Sequence, residues 1–361
     1  LETKPEERWA AVYAAAYPGP QIECRYGKHQ SEYFRQFTPH SGLTMNSNSN
    51  RRQFFRTSAR CVAASIAASS CYAAQLEIRA DDVQPAIGQH IYKSLKWNMV
   101  KLPGSLTEQF AALKELGFDG IELDSPTDMD ADAALAASQQ TGLPIEGVVN
   151  STHWKIRHSD PDPAVRRQAA DNMSQALKFA AHVGADSVLL VPGKVTDAEH
   201  ENHDQVWERS IAEIRQLLPL AQQLQIMILI ENVGNGFCES PELLAAYIDE
   251  LDSPWVQVHF DIGNHIRISP PADWIRVLGK RIKKLDVKDR TQQNESTPIG
   301  EGQADWPAVR AALVDLDYSG WAAAEVTGGD RSQLADVLAR MNRVLGKSDG
   351  NPSSLRLAKS T

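Results

Sequence analysis

The chain has 361 residues, of which 42% are hydrophobic and 23% charged, a composition that excludes a disordered or fibrous protein and allows a sizeable core. Its formal net charge of −9 offers no basic stripe, so no nucleic-acid partner is expected. Cys24, Cys61 and Cys71 precede the strand-helix repeats and only Cys238 lies within them, which excludes a disulfide framework and a CxxC motif in that region.

The first feature in chain order is the segment from Met45 to Gln75. It has a polar basic start, the pair Arg51-Arg52 followed by Phe54-Phe55, and then an apolar run of small residues. This resembles a twin-arginine export signal, the alternative being an amphipathic helix. The run is too short and too rich in Ala and Ser for a permanent membrane anchor. A periplasmic or exported address is therefore expected, with a cytoplasmic one as the alternative. Residues 1–44 precede that signal and are expected to be an over-extended gene start or disordered. Residues 346–361 are expected to form a disordered tail.

Between residues 90 and 345 a short apolar strand followed by a helical stretch recurs eight times. Strand one is expected over Ile91–Met99. Ser105-Leu106-Thr107-Glu108 then opens a helix in capping-box fashion, with Phe110, Leu113 and Leu116 inward and Gly117 as the stop. GIELDS (120–125), IEGVVNS (145–151) and SVLLVPG (187–193) give strands two to four. A long helix from Pro163 to His182 carries Ala170, Met173, Ala176, Leu177 and Ala180 at helical spacing before the fourth. Strand five is IMILIEN, ending at Asn232, and strand six is VQVHFDIGN, ending at Asn264. Strand seven is RIKKLDVKD (281–289), and strand eight begins with GWAAAEVTGG at 320. Such continuous apolar runs suit parallel strands buried on both faces. Eight units predict a single-domain α/β protein, a (β/α)8 TIM barrel, and no GxGxxG follows strand one to suggest a dinucleotide site.

Glu231, Asp261, Asp286 and Glu325 stand where the last four apolar runs stop. In a barrel the C-terminal ends of all strands share one mouth, so these residues are expected to converge. One carboxylate there is readily explained as a helix cap or the partner of a neighbouring Lys. Four on consecutive strands repel one another, and that is sustained where a cation or transferred protons balance them.

The motifs IEN with Glu231, FDIGN with Asp261, KDR with Asp289-Arg290, IGEGQADW from Ile299 to Trp306 and AEV with Glu325 resemble the xylose isomerase-like TIM-barrel superfamily. The likeness is to its sugar and sugar-phosphate isomerases and ketose 3-epimerases, and it covers residues 90–345. It implies one divalent metal ion, Mn²⁺ or Mg²⁺, held by Glu231, Asp261 and Glu325. The family's fourth ligand is a strand-seven histidine, and this chain has Asp286 in its place, followed by Lys288 on the same strand face. With Asp286 as the fourth metal ligand beside Glu231, Asp261 and Glu325, an all-carboxylate site is expected that favours a hard cation, and Lys288 is expected to relieve its excess charge. A second departure is Asn264, where some epimerases carry a substrate-binding His.

The chemistry implied is proton transfer beside a keto-sugar carbonyl through an enediolate, with Glu231 and Glu325 as the proton-transfer pair. Two bases on opposite faces of the substrate give epimerisation, and one base serving adjacent carbons gives isomerisation. The alternatives are a 3-keto-sugar lyase or glycoside-cleaving enzyme, and a non-catalytic sugar-binding barrel. An endonuclease would need a histidine-rich metal cluster and a basic face. Glu122, His153, Asn264, Lys288 and Arg290 are expected to contact substrate, with loop hydrogen bonds or ion pairs as the bland reading. Trp97 and Trp154 are either apolar walls of the site or barrel packing. His259 is read as a hydrogen-bonded core residue, the stretch around His200, Glu201 and His203 as a polar loop capping the next helix, and Gly328-Gly329 as a turn or a weak phosphate cradle. The expected partner is a small sugar or sugar phosphate, with no stable membrane anchor and with homo-oligomer formation left open.

Overall fold

The computed structural model describes residues 90–347. The readings of residues 1–44, of the export-like segment 45–75, of Cys24, Cys61 and Cys71 and of the tail beyond Lys347 lie outside the described residues. Eight strands run in chain order as β1 (Ile91–Leu95), β2 (Ile121–Ser125), β3 (Ile145–Asn150), β4 (Ser187–Leu190), β5 (Met227–Glu231), β6 (Val256–Asp261), β7 (Ile282–Val287) and β8 (Gly320–Ala324). The helices are α1 (Leu106–Leu116), α2 (Ala131–Thr141), α3 (Pro163–Val183), α4 (His203–Leu224), α5 (Pro241–Leu251), α6 (Pro271–Leu278), α7 (Trp306–Asp315) and α8 (Arg331–Leu345).

The strands form one parallel sheet in the order β1-β8-β7-β6-β5-β4-β3-β2. Between β1 and β2 a single parallel bridge, Lys96 to Glu122, spans the closing seam. The architecture is thus the (β/α)8 barrel expected from the sequence. Ile228, Leu229 and Ile230 of β5, like Ala322, Ala323 and Ala324 of β8, are buried throughout, as strands enclosed by helices must be. Among the described residues no helix is long and apolar enough to cross a membrane.

Local chemistry sets the boundaries. Ser105 caps α1: its hydroxyl accepts from the Glu108 N–H while the Glu108 carboxylate accepts from the Ser105 N–H, and Gly117 ends the helix with φ 102°. Asn202 and Gln205 form the same reciprocal box at the start of α4. The neighbouring Glu201 is buried and accepts from Arg157, Ser159 and Thr196, so this polar stretch locks a loop and starts a helix.

Several strands stop earlier than the apolar runs suggest. β1 ends at Leu95 rather than Met99, because Lys96 turns the chain into a short 3-10 segment, Trp97–Met99, closed by the Met99 N–H on the Lys96 carbonyl. β6 ends at Asp261, whose Oδ1 accepts from the N–H groups of Gly263 and Asn264 and so folds the chain into a turn. β8 ends at Ala324, which leaves Glu325 one residue past the sheet. Gly328 fits against the Met99 backbone, where an added Cβ would fall 2.0 Å from the Met99 carbonyl oxygen. Gly329 exchanges backbone hydrogen bonds with Met99 and Lys101, so the glycine pair docks one mouth loop on another.

Candidate active site

Glu231 closes β5, Asp261 closes β6, Asp286 is the penultimate residue of β7 and Glu325 follows β8. Parallel register sets Asp261 beside Asp286, and Asp286 beside Ala323, two residues before Glu325. One carboxylate oxygen from each of the four lies within 4.8 Å of the others, so residues up to 94 positions apart meet in one ring at the barrel mouth.

Two ammonium groups are set into this ring. Lys288 Nζ lies 2.8 Å from Asp261 Oδ2 and 2.9 Å from Glu325 Oε2. Lys96 Nζ lies 3.0 Å from Asp286 Oδ2 and 2.8 Å from Glu122 Oε2. Lys288 reaches across to β6 and β8, while Asp286 lies against Lys96 and against His259, whose Nε2 is 3.1 Å from Asp286 Oδ1. Gly263 makes this course available, since a Cβ there would sit 2.9 Å from the Lys288 stem. Glu231 is oriented by Asn264, whose Nδ2 donates to Glu231 Oε1 at 3.0 Å and to the Asn232 carbonyl oxygen at 2.9 Å.

The charges do not balance with protein groups alone. Burial, reinforced by the repulsion of Glu325, Asp286 and Asp261, pushes the Glu231 carboxyl well above the ordinary range, and burial is the main cause that raises Glu325 to about 7. Asp286 is moved the other way: although its burial opposes this, His259 and Lys96 hold it below the usual carboxylate range. The ring therefore contains one carboxylate already neutralised by its own cations and two that resist ionising together.

A cavity of about 560 Å³ opens onto the ring, and Glu231, Glu325, His153, Asn264, Lys288 and Arg290 all line it. His153 Nδ1 accepts the Val191 N–H, which leaves its proton on Nε2, and burial lowers its pKa to about 3, so it meets the cavity as a neutral donor. Arg290 is held by the Asn294 carbonyl oxygen and by Asn264 Oδ1 rather than by Glu301 or the Asp289 carboxylate. Glu122 is off the cavity wall, buried beneath Lys96. Trp154 lines the cavity and is 49% exposed, whereas Trp97 packs toward Phe110 with ring centroids 6.0 Å apart. His259 is fully buried against Asp286, and Cys238 is a buried free thiol whose pKa burial raises.

Two residues of the site escaped the sequence reading. Lys96 belongs to the cation balance, and the signal was present: four converging carboxylates demand basic partners, and KSLK places a lysine at the end of β1. Asn232 joins β5 to β6, accepting from the Asp261 N–H and donating to the Asp261 carbonyl oxygen. Asp289 was read only as part of a motif. It proves to be the hub of the loop after β7, accepting from the N–H groups of Gly300, Gly302 and Ala304 and from Trp306 Nε1.

Fold and site together define a (β/α)8 barrel with a carboxylate ring and two lysines at its mouth. The chain belongs to the xylose isomerase-like TIM barrel family, whose model matches residues 110–344. It is 28% identical over 236 residues to SgbU of Escherichia coli (strain K12), provisionally named an L-ribulose-5-phosphate 3-epimerase, covering 60% of this chain and 82% of that protein. It is 25% identical over 231 residues to the L-ribulose-5-phosphate 3-epimerase UlaE of Salmonella paratyphi C (strain RKS4594), covering 59% of this chain and 79% of the relative. A crystal structure of a D-tagatose 3-epimerase-like protein superposes with a TM-score of 0.61 at 18% identity, over 71% of this chain and 98% of the other, a likeness of fold. Both relatives carry epimerase names, and an epimerase is an isomerase, in agreement with the isomerase expected from the residues.

Proposed function

We propose that this chain is a sugar isomerase or epimerase that moves a proton beside the carbonyl of a small keto sugar, with a divalent cation held by Glu231, Asp261 and Glu325. The observation that carries this reading is the ring itself, four carboxylates within 4.8 Å of one another, two of which, Glu231 and Glu325, line an open cavity. Its donors are all oxygens, and two of its carboxylates are left without full compensation by Lys96 and Lys288, the donor type and charge that suit Mg²⁺ or Mn²⁺. A cation held there would supply the positive charge that acidifies a C–H next to a carbonyl.

The remaining work falls to the chain's own groups. Glu231 and Glu325 are the proton-transfer pair: both line the cavity, where a carboxylate beside an acidified C–H can take its proton and a carboxyl can return one. Transfer by one and return by the other inverts a carbon, which matches the epimerase names of the relatives. Asn264 fixes Glu231, and Lys288 restrains Asp261 and Glu325, the place a cation would take. The His153 Nε2–H and Arg290 bind substrate oxygens, and Trp154 shields an apolar sugar face. The Arg51-Arg52 segment supports an exported location, which a reporter fused after Gln75 tests by its appearance outside the cytoplasm.

The experiment is a panel of free and phosphorylated keto sugars, including D-tagatose and L-ribulose 5-phosphate, incubated in D₂O with protein and Mn²⁺. Deuterium should enter at the carbon beside the carbonyl of at least one sugar and not in the Glu231→Gln protein. Specific binding of a sugar without any exchange would replace this reading with that of a non-catalytic binding barrel.

A further inference from the structure

Lys96 has no role in the reaction as described so far. It follows β1, is 5% exposed and yet forms part of the cavity wall. Its ammonium donates to Glu122 Oε2 at 2.8 Å and lies 3.0 Å from Asp286 Oδ2 as an ion pair, and since an ammonium carries three donors it keeps donor capacity to spare. No ion pair joins it to Glu231, Asp261 or Glu325 among the described residues. The two lysines therefore divide the ring. Lys288 stands on two of the carboxylates assigned to the cation, so an ion held there would have to take its place. Lys96 stands on Asp286 and Glu122, outside those three carboxylates. Asp286 faces Lys96 through one oxygen at 3.0 Å and His259 through the other at 3.1 Å, ion pairs rather than hydrogen bonds among the described residues.

We propose that Lys96 is a second, permanent cation of this site: it withholds Asp286 from the ion, leaving a three-carboxylate ligand set, and presents its free N–H to the substrate oxygen that gains negative charge as the carbon proton leaves. This rests on the proton-transfer reading above. A fixed ammonium beside that oxygen stabilises developing charge without reorganisation. The Lys96-Glu122 bridge also closes the barrel seam, so a purely structural staple is the competing account, and the test must separate the two.

Titration of the metal-free full-length protein with Mn²⁺, followed by titration of the Mn²⁺-loaded protein with glycolohydroxamate, a planar mimic of an enediolate, does so. Asp286→Asn should change Mn²⁺ affinity by less than about 3-fold, whereas Asp261→Asn should weaken it by about 100-fold or more, since one removes a bystander and the other a ligand. Lys96→Met should tighten Mn²⁺ as Asp286 is released into the ring. The same variant should weaken the hydroxamate by roughly 10-fold or more, with recovery in Lys96→Arg, because the lost contact is charge-assisted. If Lys96→Met fails to fold, the Asp286→Asn titration and the hydroxamate affinity of Lys96→Arg against Lys96→Gln decide. Loss of Mn²⁺ in Asp286→Asn, or unchanged hydroxamate binding once the ammonium is removed, overturns the role of Lys96 and leaves the proposed reaction standing. A native protein that binds no Mn²⁺ overturns both.

Discussion

Glu231 and Glu325 occupy equivalent places at the ends of β5 and β8, yet their surroundings differ. Glu231 is held by Asn264 and has no ion pair among the described residues, while Glu325 touches Lys288 and is more open to solvent. Replacing either by Gln preserves size and removes a base, and turnover on a true substrate should fall by about 100-fold or more. In a two-base epimerase one of the variants should still wash deuterium into substrate without completing inversion, and a one-base isomerase should lose exchange and turnover together. Full turnover in both variants would remove the pair from the mechanism. Titration supplies a second prediction. Between the ordinary carboxyl value of 4.5 and about 7, folded Glu325 binds more protons than the unfolded chain does, so its contribution to stability falls as pH rises through that window. The metal-free protein should accordingly melt at a lower temperature at pH 8 than at pH 5.5, Mn²⁺ should reverse the loss, and Glu325→Gln should flatten the dependence. An unchanged slope in that variant would assign the effect to other groups.

The elements were legible where apolar runs and caps agree, as in α1 with its Ser105-Glu108 box and α3 with Pro163 at its start. The strand ends were read too long, because a run of apolar residues does not show where a side chain turns back on the backbone. Asp261 caps its own turn, and Lys96 leaves the sheet to meet two carboxylates. The convergence of Glu231, Asp261, Asp286 and Glu325 followed from topology, but the partner of Asp286 did not: spacing along β7 pointed to Lys288, and only the barrel's closure brings Lys96 and His259 nearer. The loop after β7 has the same lesson in Asp289, whose carboxylate gathers three backbone N–H groups and an indole. Asp289→Ala leaves these donors without their acceptor and should destabilise the protein by roughly 3 kcal/mol or more, given the strength of hydrogen bonds to a buried charge. It should also raise KM by releasing Arg290. Chemical denaturation together with kinetics checks this, and a variant with native stability would show that the loop is held elsewhere.

At the scale of the molecule, one sheet closed on itself explains why eight dispersed segments form one site, and why the closing seam and the cation balance meet at the Lys96-Glu122 bridge. Below the ring lies a second buried polar layer: Lys284 pairs with Glu146 and, at 2.7 Å, with Asp186, while Ser94 donates to Glu146. It has its own cation and does not line the cavity, so the acid in excess that meets the cavity is that of the upper layer. The central claim is that the upper excess is a cation site. Anomalous diffraction from crystals grown with Mn²⁺ tests it most directly. A peak bounded by oxygens of Glu231, Asp261 and Glu325 at about 2.0 to 2.3 Å is predicted, with Lys288 moved off Asp261. A Mn²⁺-saturated crystal with no peak in the ring and Lys288 still bridging Asp261 and Glu325 would contradict it.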